Sequence, residues 1–185
     1  NFPGLMSSRE YGPRIGTPRI IKMLEENDIP ATFYIPGYVA ENHKDLVKLV
    51  ASKGHEIGHH GYMHEPPQTL SKKEEADILD KGNKIIEEII GEKPIGYRAP
   101  GAELSEHTID LLAERGFIYD SSLMGDDIPY PIKSSNAEII EVPLHWEMDD
   151  VAYYNYAPSL GLRQFMATQD HLYQVWSTAF DAAYH

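Results

Sequence analysis

Cysteine is absent from all 185 residues. That excludes disulfides, thiolate metal ligands and a cysteine nucleophile, and it fits a reducing compartment. Positive charge is scarce: 16 Lys and Arg stand against 29 Asp and Glu, a formal net charge of −13. Binding to nucleic acid or to an anionic membrane surface is therefore electrostatically opposed. No apolar run approaches the ~20 residues of a membrane span, no secretory signal pattern opens the chain, and the expected location is cytoplasmic. There is no internal repeat and no low-complexity tract. What remains is a composition ordinary for a globular protein, 42% hydrophobic and 24% charged, in a chain long enough to bury one substantial core.

The most informative stretch is Gly54-His55-Glu56-Ile57-Gly58-His59-His60-Gly61-Tyr62-Met63-His64, which holds four of the nine histidines. Neutral imidazoles donate a lone pair without bringing charge, so histidines at this density suit a divalent-metal site. Two registers compete. His55-Glu56-Ile57-Gly58-His59 matches the H-E-x-x-H string of zinc peptidases, which works only on a helix, where both histidines share a face and the Glu is the general base. Gly54, Gly58 and Gly61 each disfavour helix by about 1 kcal/mol relative to Ala. Gly54 is also placed to end the preceding helix, roughly residues 41–53, as its C′ residue. The second register sets a short strand at about residues 56–59, with His55, Ile57 and His59 on one face and His60 on the other. A turn through Gly61 then returns His64 beside His60 at a strand end, where α/β folds commonly carry metal and catalytic groups. The bland reading of the same stretch is a run of solvated loop histidines.

Five strand-like runs, at residues 31–36, 55–59, 95–99, 117–120 and 139–144, alternate with helix-like runs. Thr17 is placed to cap a helix with Pro18 at its first position, running to about Asn27. Residues 39–53 and 71–90 carry apolar residues three and four apart, and Ser71 with Glu74 forms a capping box. Further helices are expected over 105–115, ending at Gly116, and 164–184. This alternation predicts an α/β fold with a largely parallel sheet, open or closed into a barrel. Residues 1–16 read as an arm, and 121–137 as the longest irregular stretch, long enough to cover a site.

With these residues placed, the chain resembles the polysaccharide deacetylase superfamily (the NodB-homology domain, carbohydrate esterase family 4) over residues 17–150. Ala31-Thr32-Phe33-Tyr34-Ile35-Pro36-Gly37 looks like that family's second strand. The histidine segment is similar to its metal motif, and Tyr97-Arg98-Ala99-Pro100-Gly101 to its Arg-x-Pro motif. Ser8-Arg9-Glu10-Tyr11-Gly12-Pro13-Arg14, Asp120-Ser121-Ser122-Leu123-Met124-Gly125-Asp126-Asp127 and Val142-Pro143-Leu144-His145-Trp146 resemble the cytoplasmic branch. That branch includes cofactor-independent allantoinases and deacetylase-like proteins, often homotetramers.

The resemblance implies one deacetylase-like domain over residues 1–185, partial, with the fold of a deformed (β/α) barrel lacking its first and last strands. It implies a divalent metal, zinc foremost, held by His60 and His64. The family's third ligand and general base come from an Asp-rich motif that nothing in residues 1–10 supplies, and its general acid from a Leu-x-His motif expected beyond His185. The chain, which opens on Asn1 rather than Met, is thus expected to be a trimmed or partial product. Arg98 is the implied catalytic partner of the missing Asp, lowering its pKa. Pro100 and Gly101 would shape a loop offering a backbone N–H to an oxyanion. Trp146 would wall the substrate pocket, and Asp149 or Asp150 would orient the general acid. Tyr153, Tyr154 and Tyr156 are candidates for a substrate groove, with core packing or an oligomer contact as the alternative. His59 is expected beside the ligands, and His43, His107 and His171 in solvent.

The implied activity is metal-dependent hydrolysis of non-peptide C–N bonds, in an N-acetylated sugar or oligosaccharide or in a small cyclic ureide or imide. The alternatives are a catalytically incomplete binding or assembly module and the zinc peptidase. Unpaired sheet edges predict self-association as a dimer or tetramer.

Overall fold

The computed structural model describes residues 3–134, 136–154, 156–157, 162–163 and 166–184. Two compact units share the chain: Tyr11–Pro143, and Asn1–Glu10 together with Leu144–His185.

The larger unit is built on a six-stranded sheet in the order β1-β2-β3-β4-β6-β5. β1 (Thr32–Ile35), β2 (Glu56–His59), β3 (Gly96–Tyr97), β4 (Tyr119–Asp120) and β6 (Glu138–Glu141) are parallel neighbours, and β5 (Tyr130–Lys133) runs antiparallel against β6. The sheet is open, with β1 and β5 at its edges: it is the largely parallel sheet that the alternation predicts, and it takes the deformed, incomplete α/β barrel form that the resemblance implies. Helices α2 (Thr17–Glu26), α3 (Gly37–Asn42), α4 (Lys44–Ser52), α5 (Lys72–Ile90) and α6 (Thr108–Glu114) belong to the same unit. Ile21, Ala40, Val47, Val50, Ile57, Ile86 and Ile89 form one buried cluster. Leu79, Tyr97, Ala99, Leu111, Leu112, Phe117 and Ile139 form a second. α5 contributes to both, so its position sets the sheet's covered face. Its capping box is present, with Ser71 N donating to Glu74 Oε2 at 2.9 Å and Glu74 N to Ser71 Oγ at 3.4 Å. Replacing Ser71 by Ala is expected to cost about 1 kcal/mol, read as a lower urea midpoint with an unchanged slope.

The histidine segment takes the strand register. α4 ends at Ser52, Gly54 adopts a left-handed φ of 79°, and β2 follows. No helix runs through residues 55–60, so the zinc-peptidase reading falls. His55, Ile57 and His59 are all buried, because all three face the helix layer.

Several expectations need correction. Residues 3–16 are not an arm: α1 (Pro3–Tyr11) opens on Pro3 at a first-turn position, where its missing N–H leaves no bond unmade. A π-helical turn, Gly12–Gly16, joins α1 to α2, and Thr17 N donates to Gly12 O. Thr17 therefore lies inside a helical run rather than capping it. The register slip accommodates Pro18, whose ring would clash with the carbonyl four residues back in a regular helix. Residues 39–53 are two helices broken at His43, where the Asn42 side chain donates to Tyr38 O at 2.7 Å and competes for the helix acceptor. The stretch 121–137 contains β5, hidden in the sequence by Pro131. At a sheet edge that proline costs no ladder bond.

In the smaller unit, a 3-10 turn at Trp146–Met148 leads to α7 (Val151–Tyr154), the two-stranded pair β7 (Tyr156–Ala157) and β8 (Leu162–Arg163), and α8 (Gln169–Tyr184). α8 begins at Gln169, after non-helical residues 166–168, rather than at the start expected from the sequence, which lies outside the described residues. Among the described residues no helix is long and apolar enough to cross a membrane.

Candidate metal and active site

β2 delivers His60 at its C-terminal end, on the face opposite Ile57 and His59. The chain then turns through Gly61 (φ 69°), where an added Cβ would lie 3.2 Å from Pro100 Cγ. Both the backbone angle and the space demand glycine here. The loop is fastened to α3: Gly37 N donates to Gly61 O and Tyr38 N to Tyr62 O, each at 2.9 Å. The Tyr62 hydroxyl donates to Glu41 Oε2 at 2.9 Å, and Lys81 Nζ stands 3.3 Å from the Tyr62 ring centroid. His64, exposed and left-handed (φ 68°), brings its ring edge-to-face against His60, centroids 4.9 Å apart. A non-glycine residue there carries roughly 1–2 kcal/mol of strain.

His60 is mostly buried, and its Nδ1 lies 2.6 Å from Arg98 O. A carbonyl only accepts, so Nδ1 carries the proton and Nε2 keeps its lone pair. Burial is the main cause of the drop in the His60 pKa to about 4; His64 and Arg98 add to it, and the carbonyl bond opposes it. The ring is therefore neutral at pH 7, as a ligand must be. His59 sits behind it, fully buried, with Nδ1 accepting from Gly61 N at 3.2 Å. Burial, then His60, drives its pKa down to about 3.

Arg98 follows β3, and its N–H donates to His59 O at 3.0 Å, continuing the β2–β3 pairing into the site. Its guanidinium is anchored twice on the next connection, Nε to Ser121 O at 2.7 Å and Nη2 to Ser121 Oγ at 2.6 Å. The charge also lies 4.5 Å from the Tyr34 ring centroid. Ser121 is positioned in turn by a buried carboxyl pair. Asp120 and Glu141 are register partners on β4 and β6. Ser122 N and Leu123 N donate to Glu141 Oε1 at 2.9 Å, and Ser122 Oγ donates to Asp120 Oδ1 at 2.7 Å. Asp120 Oδ2 and Glu141 Oε2 are buried with no hydrogen-bond partner, so a charge on Asp120 is disfavoured by burial and by a second carboxyl beside it. Burial first, then Glu141, pushes the Asp120 pKa up to about 8.

The other face of the sheet is also polar. Glu56 Oε2 accepts from Thr32 Oγ1 at 2.7 Å and from the Tyr119 hydroxyl at 2.9 Å, and the Tyr34 hydroxyl donates to that of Tyr119 at 3.3 Å. Gly58 and Gly96 make room for the two tyrosine rings: an added Cβ would fall 2.5 Å from Tyr34 Cδ1 and 2.1 Å from Tyr119 Cζ.

The structure thus brings together His60, His64, Arg98 and Pro100. Pro100 is buried against the histidine loop, and Gly101 is exposed at φ 77°. Trp146 and Asp149 belong to the smaller unit. Trp146 is 46% exposed, and Asp149 Oδ1 accepts from Val151 N at 2.9 Å, capping α7. In that unit Tyr153 stacks edge-on with His171, which is itself exposed. The side chain of Tyr156 lies outside the described residues. His43 and His107 are half-buried rather than solvated, since each sits at a helix start. No described group of three His, Asp, Glu or Cys side chains converges on one point. The sequence reading missed the Asp120–Glu141 pair. Its signal was the alternation Ile139-Ile140-Glu141, which puts Glu141 in phase with a buried isoleucine.

Residues 6–119 match the polysaccharide deacetylase family. A peptidoglycan deacetylase of Helicobacter pylori is 31% identical across 98% of this chain and 70% of its own length. The crystal structure of a putative polysaccharide deacetylase from Mycobacterium smegmatis superposes with a TM-score of 0.93 at 39% identity, over 97% of this chain and 63% of that one. The Puue allantoinase structure superposes with a TM-score of 0.85 at 27% identity, over 99% of this chain and 59% of that one. The chain thus spans about six-tenths of each of the two structures. Matched over more than half its residues, and aligned almost end to end with the Helicobacter pylori enzyme, this chain belongs to the polysaccharide deacetylase family.

Proposed function

We propose that the protein acts as a zinc-dependent amide hydrolase that removes acetyl groups from N-acetylated sugars, with His60 and His64 as two of the metal's ligands. The observation that carries this reading is the pair of imidazoles 4.9 Å apart, one of them fixed as the tautomer with a free Nε2. Two neutral imidazoles suit zinc in donor type, and they are two-thirds of the usual three-residue set. A bound zinc would supply Lewis acidity toward the amide carbonyl. Arg98, held at Nε and Nη2 by Ser121, keeps Nη1 for a carboxylate base, whose anionic form its charge would favour. The Arg98 carbonyl orients His60, so β3 serves both sides of the chemistry. Gly61 and Pro100 hold the two loops in contact, which sets the distance between the imidazoles and the guanidinium.

The test is acetate release from N-acetylglucosamine oligomers by the zinc-loaded protein, alongside zinc content. His60→Ala and His64→Ala should each lower the zinc content and abolish turnover. Unchanged zinc content in both variants would overturn the ligand assignment. Turnover of neither sugar nor ureide would leave the chain a binding or assembly module. A second reading, hydrolysis of a cyclic ureide, is favoured by the likeness to the Puue allantoinase structure, and allantoin belongs in the same assay. The edge of β1 that is unpaired among the described residues supports self-association as a further part of this proposal, and a monomer by light scattering would overturn it.

A further inference from the structure

His64 has no helix or strand to hold it. It is exposed, lies at the far side of a glycine turn, and adopts a backbone angle that L residues rarely occupy. The α3 contacts fasten Gly61 and Tyr62 but reach no further along the loop. Beyond them, the loop closes on a single group. Glu65 Oε2 accepts from Tyr62 N at 3.0 Å and from Met63 N at 2.7 Å. The same oxygen would be 3.4 Å from a Cβ on Gly61, so it sits in the concave side of the turn. Pro66 follows, and a residue before proline is driven to extended backbone, which sets the carboxylate to reach back rather than outward. His64 lies between the carboxylate's own residue and the two amides that it holds.

From this geometry, and resting on the reading of His60 and His64 as ligands, we infer that Glu65 is a positioning residue that holds the His64 ring beside His60 before any metal arrives. Charged acceptors make the stronger hydrogen bonds to backbone N–H groups, and one oxygen serving two amides fixes the residue between them. Partners of this kind, one step removed from a metal, typically change metal affinity 10- to 100-fold when lost. Glu65 touches neither imidazole in this structure, and its role does not depend on donating to the ion.

The experiment measures zinc affinity by chelator competition for the wild type, Glu65→Ala, Glu65→Gln and His64→Ala. Two further readouts accompany it: the urea midpoint, and the cross-peak between the His60 and His64 ring protons in the zinc-free protein. Glu65→Ala should bind zinc at least tenfold more weakly and lose the cross-peak while its urea midpoint stays close to wild type. Glu65→Gln, which keeps an acceptor oxygen, should recover affinity to within about threefold of the wild type. Glu65→Ala binding within twofold of wild type, or a retained cross-peak, would overturn the inference. A drop in Glu65→Ala that tracks a collapsed midpoint and is not rescued by Glu65→Gln would overturn it as well. His64→Ala separates the two claims. If that variant binds zinc as the wild type does, the ligand reading itself has failed, whereas loss in His64→Ala with none in Glu65→Ala removes only the role given to Glu65.

Discussion

Gly82→Ala is expected to destabilise the protein by about 2 kcal/mol, although alanine is the better helix former. Gly82 lies inside α5, where the exchange alone would gain about 1 kcal/mol. An added Cβ would stand 2.1 Å from His59 Nε2 and 2.8 Å from its Cδ2, and His59 has nowhere to go. Its ring is fully buried, tilted against Tyr97 with centroids 5.7 Å apart, edge-on to Phe117 at 5.9 Å, and bonded through Nδ1 to Gly61 N. Overpacking of a rigid core costs up to about 3 kcal/mol, which outweighs the gain in helix propensity. Urea unfolding checks this, and a midpoint at or above that of the wild type would refute the contact. The double variant His59→Ala/Gly82→Ala should lose less than the sum of the two single variants, because removing the ring removes the clash. His59 precedes His60, so Gly82→Ala should also weaken the zinc binding proposed for His60 and His64.

The second large effect is on pH. The stability of the metal-free protein should peak near pH 6.5, the ordinary histidine value from which burial drives His59 down to about 3 and His60 to about 4. Both rings are neutral in the fold and take up protons when unfolded, so their contribution is complete above pH 6.5 and is lost as pH falls toward their folded values. Asp120 has the opposite sign. Its carboxyl, raised from 3.8 to about 8, keeps its proton in the fold and sheds it on unfolding, so stability falls as pH rises between those values. Each proton of difference gives a slope of about 1.4 kcal/mol per pH unit. Below pH 6.5 two histidines outweigh one aspartate and stability climbs; above it Asp120 acts alone and stability declines toward pH 8. Asp120→Asn places an amide donor opposite Glu141 Oε2 without a titrating proton. This variant should be flat above pH 6.5 and steeper on the acid side. Urea midpoints in EDTA across pH 4.5 to 8.5 provide the check, and an alkaline decline that persists in Asp120→Asn would refute the raised Asp120 pKa.

These effects mark where the sequence was readable. The strand register of residues 55–60 followed from three glycines that a helix would not accept, and Gly54 ends α4 with a left-handed φ of 79° as a C′ residue should. The capping box at Ser71 and Glu74 is equally local, formed by side chains three residues apart. Element ends were harder. β3 and β4 are two residues each, because what holds them is pairing with neighbours distant in the chain. β5 escaped notice because Pro131 reads as a strand breaker, and only its place at the sheet edge makes it harmless.

That His60 and His64 share one loop was legible because they stand four apart across a glycine turn, whereas Arg98 was singled out only through the resemblance to the Arg-x-Pro motif. Unaided sequence pattern determined that this is an α/β chain with an imidazole pair beyond its second strand, since periodicity, glycine and capping act over a few residues. Tertiary structure alone decided that Asp120 meets Glu141, that Gly82 receives His59, and that the Arg98 carbonyl selects the tautomer of His60. Each of those contacts joins residues 21 to 38 positions apart. Their energies arise from burial, steric fit and hydrogen bonding, quantities that exist only once the sheet has brought the partners together.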